Sequence, residues 1–234
     1  MKDLIETSDV QTQIIDAFNF RHATKVFDPE RKITESEFNT ILEAARLSPT
    51  SFGTEPFQLL VVQSPENREL FRDFTWGANG ATNGTAGQLG TASHYVIILS
   101  HTGATMKAGS DYLAQHNREV KQFPEEVIEM LGGAYAKFQA HDFKLETDAD
   151  IEKWAARQAY IVLGNMMTAG ALMGIDSCPI EGFELDKTEA VLRDHFGIDT
   201  NVYKPAVMVA FGYRADGPMF AKTRREMADI VTWA

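Results

Sequence analysis

Apolar residues recur along this chain with two periods, one helical and one extended. From Val10 to Phe20 the spacing is helical, with Val10, Ile14, Ala17 and Phe18 on one face. Thr34-Glu35-Ser36-Glu37 forms a capping box, in which Thr34 caps and Glu37 takes the third helical position. The helix it opens carries Phe38, Ile41, Leu42, Ala45 and Arg46. It is expected to stop at Ser48-Pro49, because the residue before a proline resists the helical region. Phe57 to Gln63 reads as a strand, and Ser64-Pro65 starts a further helix with proline in its first turn. His94 to Ser100 and Ala206 to Gly212 are the second and third strands. Pro124 to Phe138 predicts a helix interrupted at Gly132-Gly133, and Asp186 caps a short one running to Phe196.

The longest helical stretch is Asp150 to Gly174, and it is mostly apolar from Ala159 to Ile175. That length is near the lower limit for crossing a bilayer. Asn165, Thr168 and the glycines Gly164, Gly170 and Gly174 favour a fully buried helix instead, with Gly170 and Gly174 on one face. A helix that is apolar all round needs partners on several sides, so a dimer core is expected. Strands are few, short and separated by helices. The prediction is one α+β domain over residues 1–234, a small sheet covered by helices.

Charge narrows the function. The formal net charge is −11, which argues against a nucleic-acid partner. Cys178 is the single cysteine, so neither a disulfide framework nor a multi-cysteine metal site is expected, and no HExxH occurs. The opening residues Met1 to Glu6 lack a long apolar core, so a reducing cytoplasm is the expected compartment.

Against this acidic background two basic clusters stand out: Arg21-His22-Ala23-Thr24-Lys25, and Lys222-Thr223-Arg224-Arg225. They form one phosphate pocket if the fold brings them together, and are solvated segments if it does not. The nucleotide fingerprints GxGxxG and GxxxxGK[ST] are both absent. Thr75 to Ser93 holds five glycines and no charged residue, which suits a mobile loop over a site or an interface. Ser48 to Phe57 combines prolines, a glycine and hydroxyls, and serves either as a ligand-presenting turn or as a plain connection. Cys178 to Phe183 is either a helix-exit turn or a place where glycine lets a backbone N–H face a ligand.

Taken in order, these pieces resemble the FMN-dependent NAD(P)H nitroreductase family, the oxygen-insensitive type that includes dihydropteridine and quinone reductases. The resemblance rests on Arg21-His22-Ala23-Thr24-Lys25-Val26-Phe27, on Ser48-Pro49-Thr50-Ser51 leading to Glu55-Pro56-Phe57, on Pro179-Ile180-Glu181-Gly182-Phe183, and on Lys222-Thr223-Arg224. It implies an α+β fold with a mostly antiparallel sheet, in an intertwined homodimer with FMN at the interface. It implies Arg21, Lys222 and Arg224 at the FMN phosphate, with His22 beside the phosphate and ribityl chain. Ala23 stands where the family has a serine that donates to the cofactor. Lys25 is implied near flavin N1 and O2, and Pro179, Ile180, Glu181 and Gly182 along the isoalloxazine. Thr50 and Ser51 are implied to reach the cofactor from the partner chain, as are Asn83 and Gln88, and Phe138 to lie over the substrate. Glu55 and Phe57 replace the family's glutamine and tryptophan. The implied activity is ping-pong: NAD(P)H reduces the flavin, then a small-molecule acceptor such as a nitroaromatic or quinone takes two electrons. A flavin-binding redox sensor or carrier is the rival. No side chain is implied as a covalent catalyst.

Overall fold

The computed structural model describes residues 7–234. Helix α1 (Thr7–Phe20) is followed by α2 (Glu35–Arg46), strand β1 (Phe57–Val61), α3 (Pro65–Glu69) and α4 (Gly87–Thr91). Then come β2 (His94–His101), α5 (Gly103–Met106), α6 (Asp111–Gln115), α7 (Glu125–Lys137) and the long α8 (Asp148–Leu172). The last elements are β3 (Asp176–Ile180), α9 (Leu185–Phe196) and β4 (Tyr203–Gly212). The four strands form one antiparallel sheet in the order β1-β2-β4-β3. Register pairs Leu59 with Ile98, Ile97 with Met208, and Cys178 with Ala210.

Both faces of the sheet are covered, which is why β2 and β4 read as continuous apolar runs. Successive side chains go to opposite faces. Tyr95, Ile97 and Leu99 pack with Phe27, Phe71, Leu89 and Leu192 on one side. Val96 and Ile98 pack with Ile41 and Ala45 of α2 and Val162 and Met166 of α8 on the other. A third cluster joins Ile151 and Trp154 of α8 to Met106, Leu113 and Tyr135. The box opening α2 is made as expected: Glu37 N–H donates to Thr34 Oγ1 at 3.3 Å, and Thr34 N–H to Glu37 Oε2 at 2.9 Å.

Several expectations are corrected. β3 was not visible in the sequence, because five residues that include Asp176, Ser177 and Pro179 lack a strand pattern. It is an edge strand, where a proline is tolerated. Gly132-Gly133 does not break α7, which runs unbroken to Lys137. Helix α8 begins earlier than Asp150, with Thr147 and Asp150 forming its capping box. It ends at Leu172. Gly174 lies beyond it at φ +71°, so it stops the helix rather than sharing a face with Gly170. Nor is α8 fully buried in a single chain, since Tyr160, Ile161 and Leu172 are exposed. On α1 only Ala17 of the apolar stripe is buried. Glu184 holds the N-cap position of helix α9 without a side-chain cap, and Asp186 lies inside the first turn. Thr75 to Ser93 contains α4 and is not a bare loop. No described helix is long and apolar enough to cross a membrane.

His101, at the end of β2, supplies a pH test of the fold. Its ring lies 3.9 Å from that of Tyr112 and 4.6 Å from that of Tyr203, and Nδ1 meets Thr105 Oγ1 at 3.1 Å. Burial, helped by His116, lowers its pKa from 6.5 to about 4. The folded state therefore binds fewer protons than the unfolded state between these values. The stabilisation is complete above pH 6.5 and is lost as the pH falls toward 4. At about 1.4 kcal/mol per unit, the loss from this one group is about 3 kcal/mol. Urea unfolding across this range is expected to show the loss, with a flatter slope in His101→Phe. An unchanged slope in the variant would refute the assignment.

Candidate functional site

The segment after α1 is sewn into the β3–β4 edge. Ala23 bridges Ser177 in parallel, and Phe27 bridges Arg214 antiparallel. Phe27 is fully buried beneath Gly212, where a Cβ would come within 2.7 Å of its ring. This fixes Arg21, His22 and Ala23 against the chain's C-terminal tail. They share one recess of about 430 Å³ with Lys222 and Arg224. The two basic clusters read from the sequence thus meet. Lys222 Nζ donates to the carbonyls of Phe18 and Asn19, tying the tail to the C-terminal end of α1. Desolvation lowers its pKa, and Arg21, Arg224 and Arg214 push the same way. Among the described residues, Arg21, Lys222 and Arg224 have no carboxylate partner. Crowded, uncompensated cations in a concave surface suit a bound anion.

Sequence reasoning missed two charged residues here. Arg214 lines the recess, and Asp176 is buried behind it. A carboxylate at the apolar exit of α8 was the available signal, since aspartate is almost never fully buried unless paired. His22 lies 3.8 Å from Asp176 through Nδ1, an atom that is buried without a hydrogen bond. Burial lowers the His22 pKa, and Arg214 lowers it further, against the pull of Asp176.

A second group of candidates meets at Cys178. Lys25 Nζ approaches its sulfur at 3.6 Å and Gln88 Nε2 at 3.3 Å. Gln88 is buried on α4 beside Lys25 of the same chain, not offered to a partner as the resemblance implied. Asn83 is exposed, accepts from Thr85 Oγ1 at 2.7 Å and joins neither group.

The Pro179–Gly182 motif divides its side chains. Pro179 and Glu181 line an open cleft of about 340 Å³ with Tyr160, Leu163 and Val207. Ile180 points into the core. The Tyr160 hydroxyl donates to Glu181 Oε1, and burial followed by that contact raises the tyrosine pKa. Gly182 meets Gly77 of the glycine-rich segment, whose N–H donates to the Gly182 carbonyl at 2.8 Å. That segment is therefore clamped to the motif at this point.

Ser51 is tied to α8, whereas Thr50 is bonded within its own turn. Ser51 N–H donates to Gln158 Oε1 at 2.9 Å, while Thr50 Oγ1 accepts from Glu55 N–H at 2.9 Å. The turn is tight, with Phe52 at φ +55° and Glu55 at φ +45°. Within the chain, Thr50 and Ser51 make no hydrogen bond to Arg21, Lys25, Lys222 or Arg224. Phe138 sits among Phe52, Tyr135, Phe143 and Trp154, with ring centroids 4.6 to 6.0 Å away. It packs within this aromatic cluster, and its contact with Phe52 links it to the turn that carries Thr50 and Ser51.

A sequence model described as the nitroreductase family matches residues 19–213. The chain belongs to the nitroreductase family. Lys222, Arg224 and Arg214 lie beyond the matched span. The Bacillus subtilis (strain 168) protein named "Putative NAD(P)H nitroreductase YfkO" is 48% identical over 227 residues, covering 97% of this chain and 99% of that one. A Staphylococcus epidermidis protein of the same descriptive name is 46% identical over 220 residues, covering 94% and 96%. Among solved structures, a protein of Exiguobacterium sibiricum 255-15 in complex with FMN superposes with a TM-score of 0.71 at 20% identity, covering 94% and 97%. The enone reductase CLA-ER superposes at 0.72 with 21% identity, also covering 94% and 97%. These two likenesses show a shared fold.

Proposed function

We propose that the protein is an FMN-dependent NAD(P)H oxidoreductase that reduces nitroaromatics, quinones or related acceptors in alternating half-reactions at one flavin. The observation that carries this reading is the recess in which Arg21 meets Lys222 and Arg224 from the other end of the chain. The residues present suit FMN. A phosphate monoester carries nearly two negative charges and three strong acceptor oxygens. The recess offers uncompensated cations, and His22 is part of its wall, with Nδ1 turned toward the buried Asp176.

In this reading Arg21, Lys222 and Arg224 hold the phosphate, with His22 and the Ala23 backbone beside them. Lys25 and Gln88 sit at the pyrimidine edge, where a cation favours the reduced ring's negative charge. Pro179, Ile180, Glu181 and Gly182 border the isoalloxazine. The bound flavin supplies the two-electron chemistry, so no side chain has to form a covalent bond. The relatives named for NAD(P)H nitroreduction support the donor and the acceptor class. Purified protein is expected to be yellow and to oxidise NAD(P)H when a nitro compound is present. Absence of a flavin spectrum after FMN addition would sink the reading. A flavin spectrum without steady-state NAD(P)H oxidation would leave the sensor or carrier instead.

The same reading needs a second copy of the chain. Thr50 and Ser51 make no hydrogen bond to the cation cluster of their own chain, and three apolar surfaces lack cover. These are Ile14, Ile15 and Phe18 on α1, Tyr160, Ile161 and Leu172 on α8, and Met219, Phe220, Met227 and Trp233 on the tail. An intertwined homodimer would bury them, with each tail lying on its partner. Trp233 is 93% exposed, far above what an aromatic at rest in one chain needs. Stopping the chain after Glu226 keeps the cation cluster and removes four large apolar residues. At about 1.5–3 kcal/mol for each fully buried side chain, dimer affinity should fall by at least about 100-fold. Sedimentation analysis reads this directly, and equal dimer affinity in the shortened chain would exclude the tail from the interface.

A further inference from the structure

We propose that Arg214 is a further cation of the anion clamp, and that the buried carboxylate of Asp176 is the positioning residue that aims it. The inference rests on the FMN reading and extends it to two residues outside the motifs that carry the family resemblance.

Asp176 is 2% exposed and grips Arg214 twice. Oδ1 lies 2.5 Å from Arg214 Nη2, and Oδ2 accepts the Arg214 backbone N–H at 3.0 Å. Thr24 Oγ1 donates to Oδ1 at 3.3 Å, so the carboxylate itself is held. The guanidinium lies 4.2 Å above the Phe20 ring, and Nη2 also donates to the Phe20 carbonyl at 2.9 Å. Both polar contacts of the guanidinium use Nη2. The donors on Nε and Nη1 have no acceptor among the described residues. The side chain is 24% exposed and forms part of the recess wall beside Arg21, Lys222 and Arg224.

A purely structural arginine would be satisfied by its carboxylate. This one leaves most of its fork free in a recess that already crowds three cations. Such a fork matches phosphate oxygens in pairs, which lysine cannot do. Asp176 offsets one of the four charges, so the recess stays positive while Arg214 is locked in one orientation. The backbone at Arg214 is fixed independently, because Asp28 N–H donates to the Tyr213 carbonyl at 2.8 Å and Ala215 N–H to the Val26 carbonyl at 3.2 Å. Changing Asp176 should therefore act on the guanidinium more than on the strand end. The pair serves as a selector for phosphorylated flavin over the same ring without phosphate.

The test titrates FMN and riboflavin into the full-length chain by flavin fluorescence. Arg214→Ala and Asp176→Asn are each expected to weaken FMN at least about tenfold and to leave riboflavin within about twofold. The double variant is expected to be no worse than Arg214→Ala, because Asp176 acts through the arginine. Arg214→Lys keeps the charge without the fork and should fall in between. Should Asp176→Asn fail to fold, the two Arg214 variants decide alone. Unchanged FMN affinity in Arg214→Ala, or equal losses for both flavins, would overturn the proposal. A wild-type chain that binds FMN no tighter than riboflavin would overturn it together with the phosphate-clamp reading. A wild-type preference for FMN that survives Arg214→Ala would overturn this proposal alone.

Discussion

Gly182→Ala is expected to lower stability by about 2–4 kcal/mol and to weaken flavin binding in the same variant. A Cβ at Gly182 would lie 2.8 Å from both Cα and N of Gly77, and 3.0 Å from Trp76 Cδ2. The first two are backbone atoms and cannot turn away. Relief requires the two segments to part, which breaks the 2.8 Å hydrogen bond from Gly77 N–H to the Gly182 carbonyl. Overpacking costs about 1–3 kcal/mol and the lost bond about 1 more. The motif that borders the proposed ring site moves with it, so affinity for riboflavin should fall as well as affinity for FMN. Gly133→Ala is the counterpart. It sits inside α7, where an added methyl group would have no neighbour within 4 Å, and should stabilise by about 0.5–1 kcal/mol. Urea unfolding of both variants measures the contrast. A Gly182→Ala protein within about 0.5 kcal/mol of wild type would show that the glycine contact is slack.

That contrast also marks what could be read from the sequence. Gly132-Gly133 has the look of a break, yet the helix passes through it, because propensity is a weak preference that tertiary contacts override. Gly77 and Gly182 have the look of loop glycines, and only the fold shows that each is small because the other is near. Strands β2 and β4 were legible because both of their faces are buried and their residues are apolar throughout. Strand β3 was not, since its identity comes from pairing with β4 rather than from its own pattern. The start of α8 was hidden for a smaller reason. Its box uses Asp150 where the usual third residue is glutamate or glutamine, so the motif did not show. The cation cluster was half legible. Arg21, Lys222 and Arg224 follow from the family resemblance, whereas Arg214 and Asp176 depend on a contact across 38 positions that no local pattern encodes.

The double substitution Lys222→Ala/Arg224→Ala is expected to weaken FMN about 100-fold while leaving riboflavin nearly unchanged. Hydrogen bonds to charged groups contribute about 1.5–3 kcal/mol each when one partner is lost. Lys222 and Arg224 are exposed, so solvent and salt screen them, and the low end applies. About 1.4 kcal/mol from each gives two factors of ten. Removing Lys222 also frees the tail from the Phe18 and Asn19 carbonyls, where the lysine sits favourably at the negative end of α1. That second effect should appear as a weaker dimer, because the tail is proposed to lie on the partner. Salt separates the two contributions. Raising ionic strength should weaken FMN binding in wild type and less in the double variant, since two of the four cations are gone while Arg21 and Arg214 remain. Dimer affinity, governed by apolar tail residues, should respond little to salt in either protein. Equal salt dependence of FMN binding in the two proteins, with affinities within about threefold, would mean that the phosphate is held elsewhere.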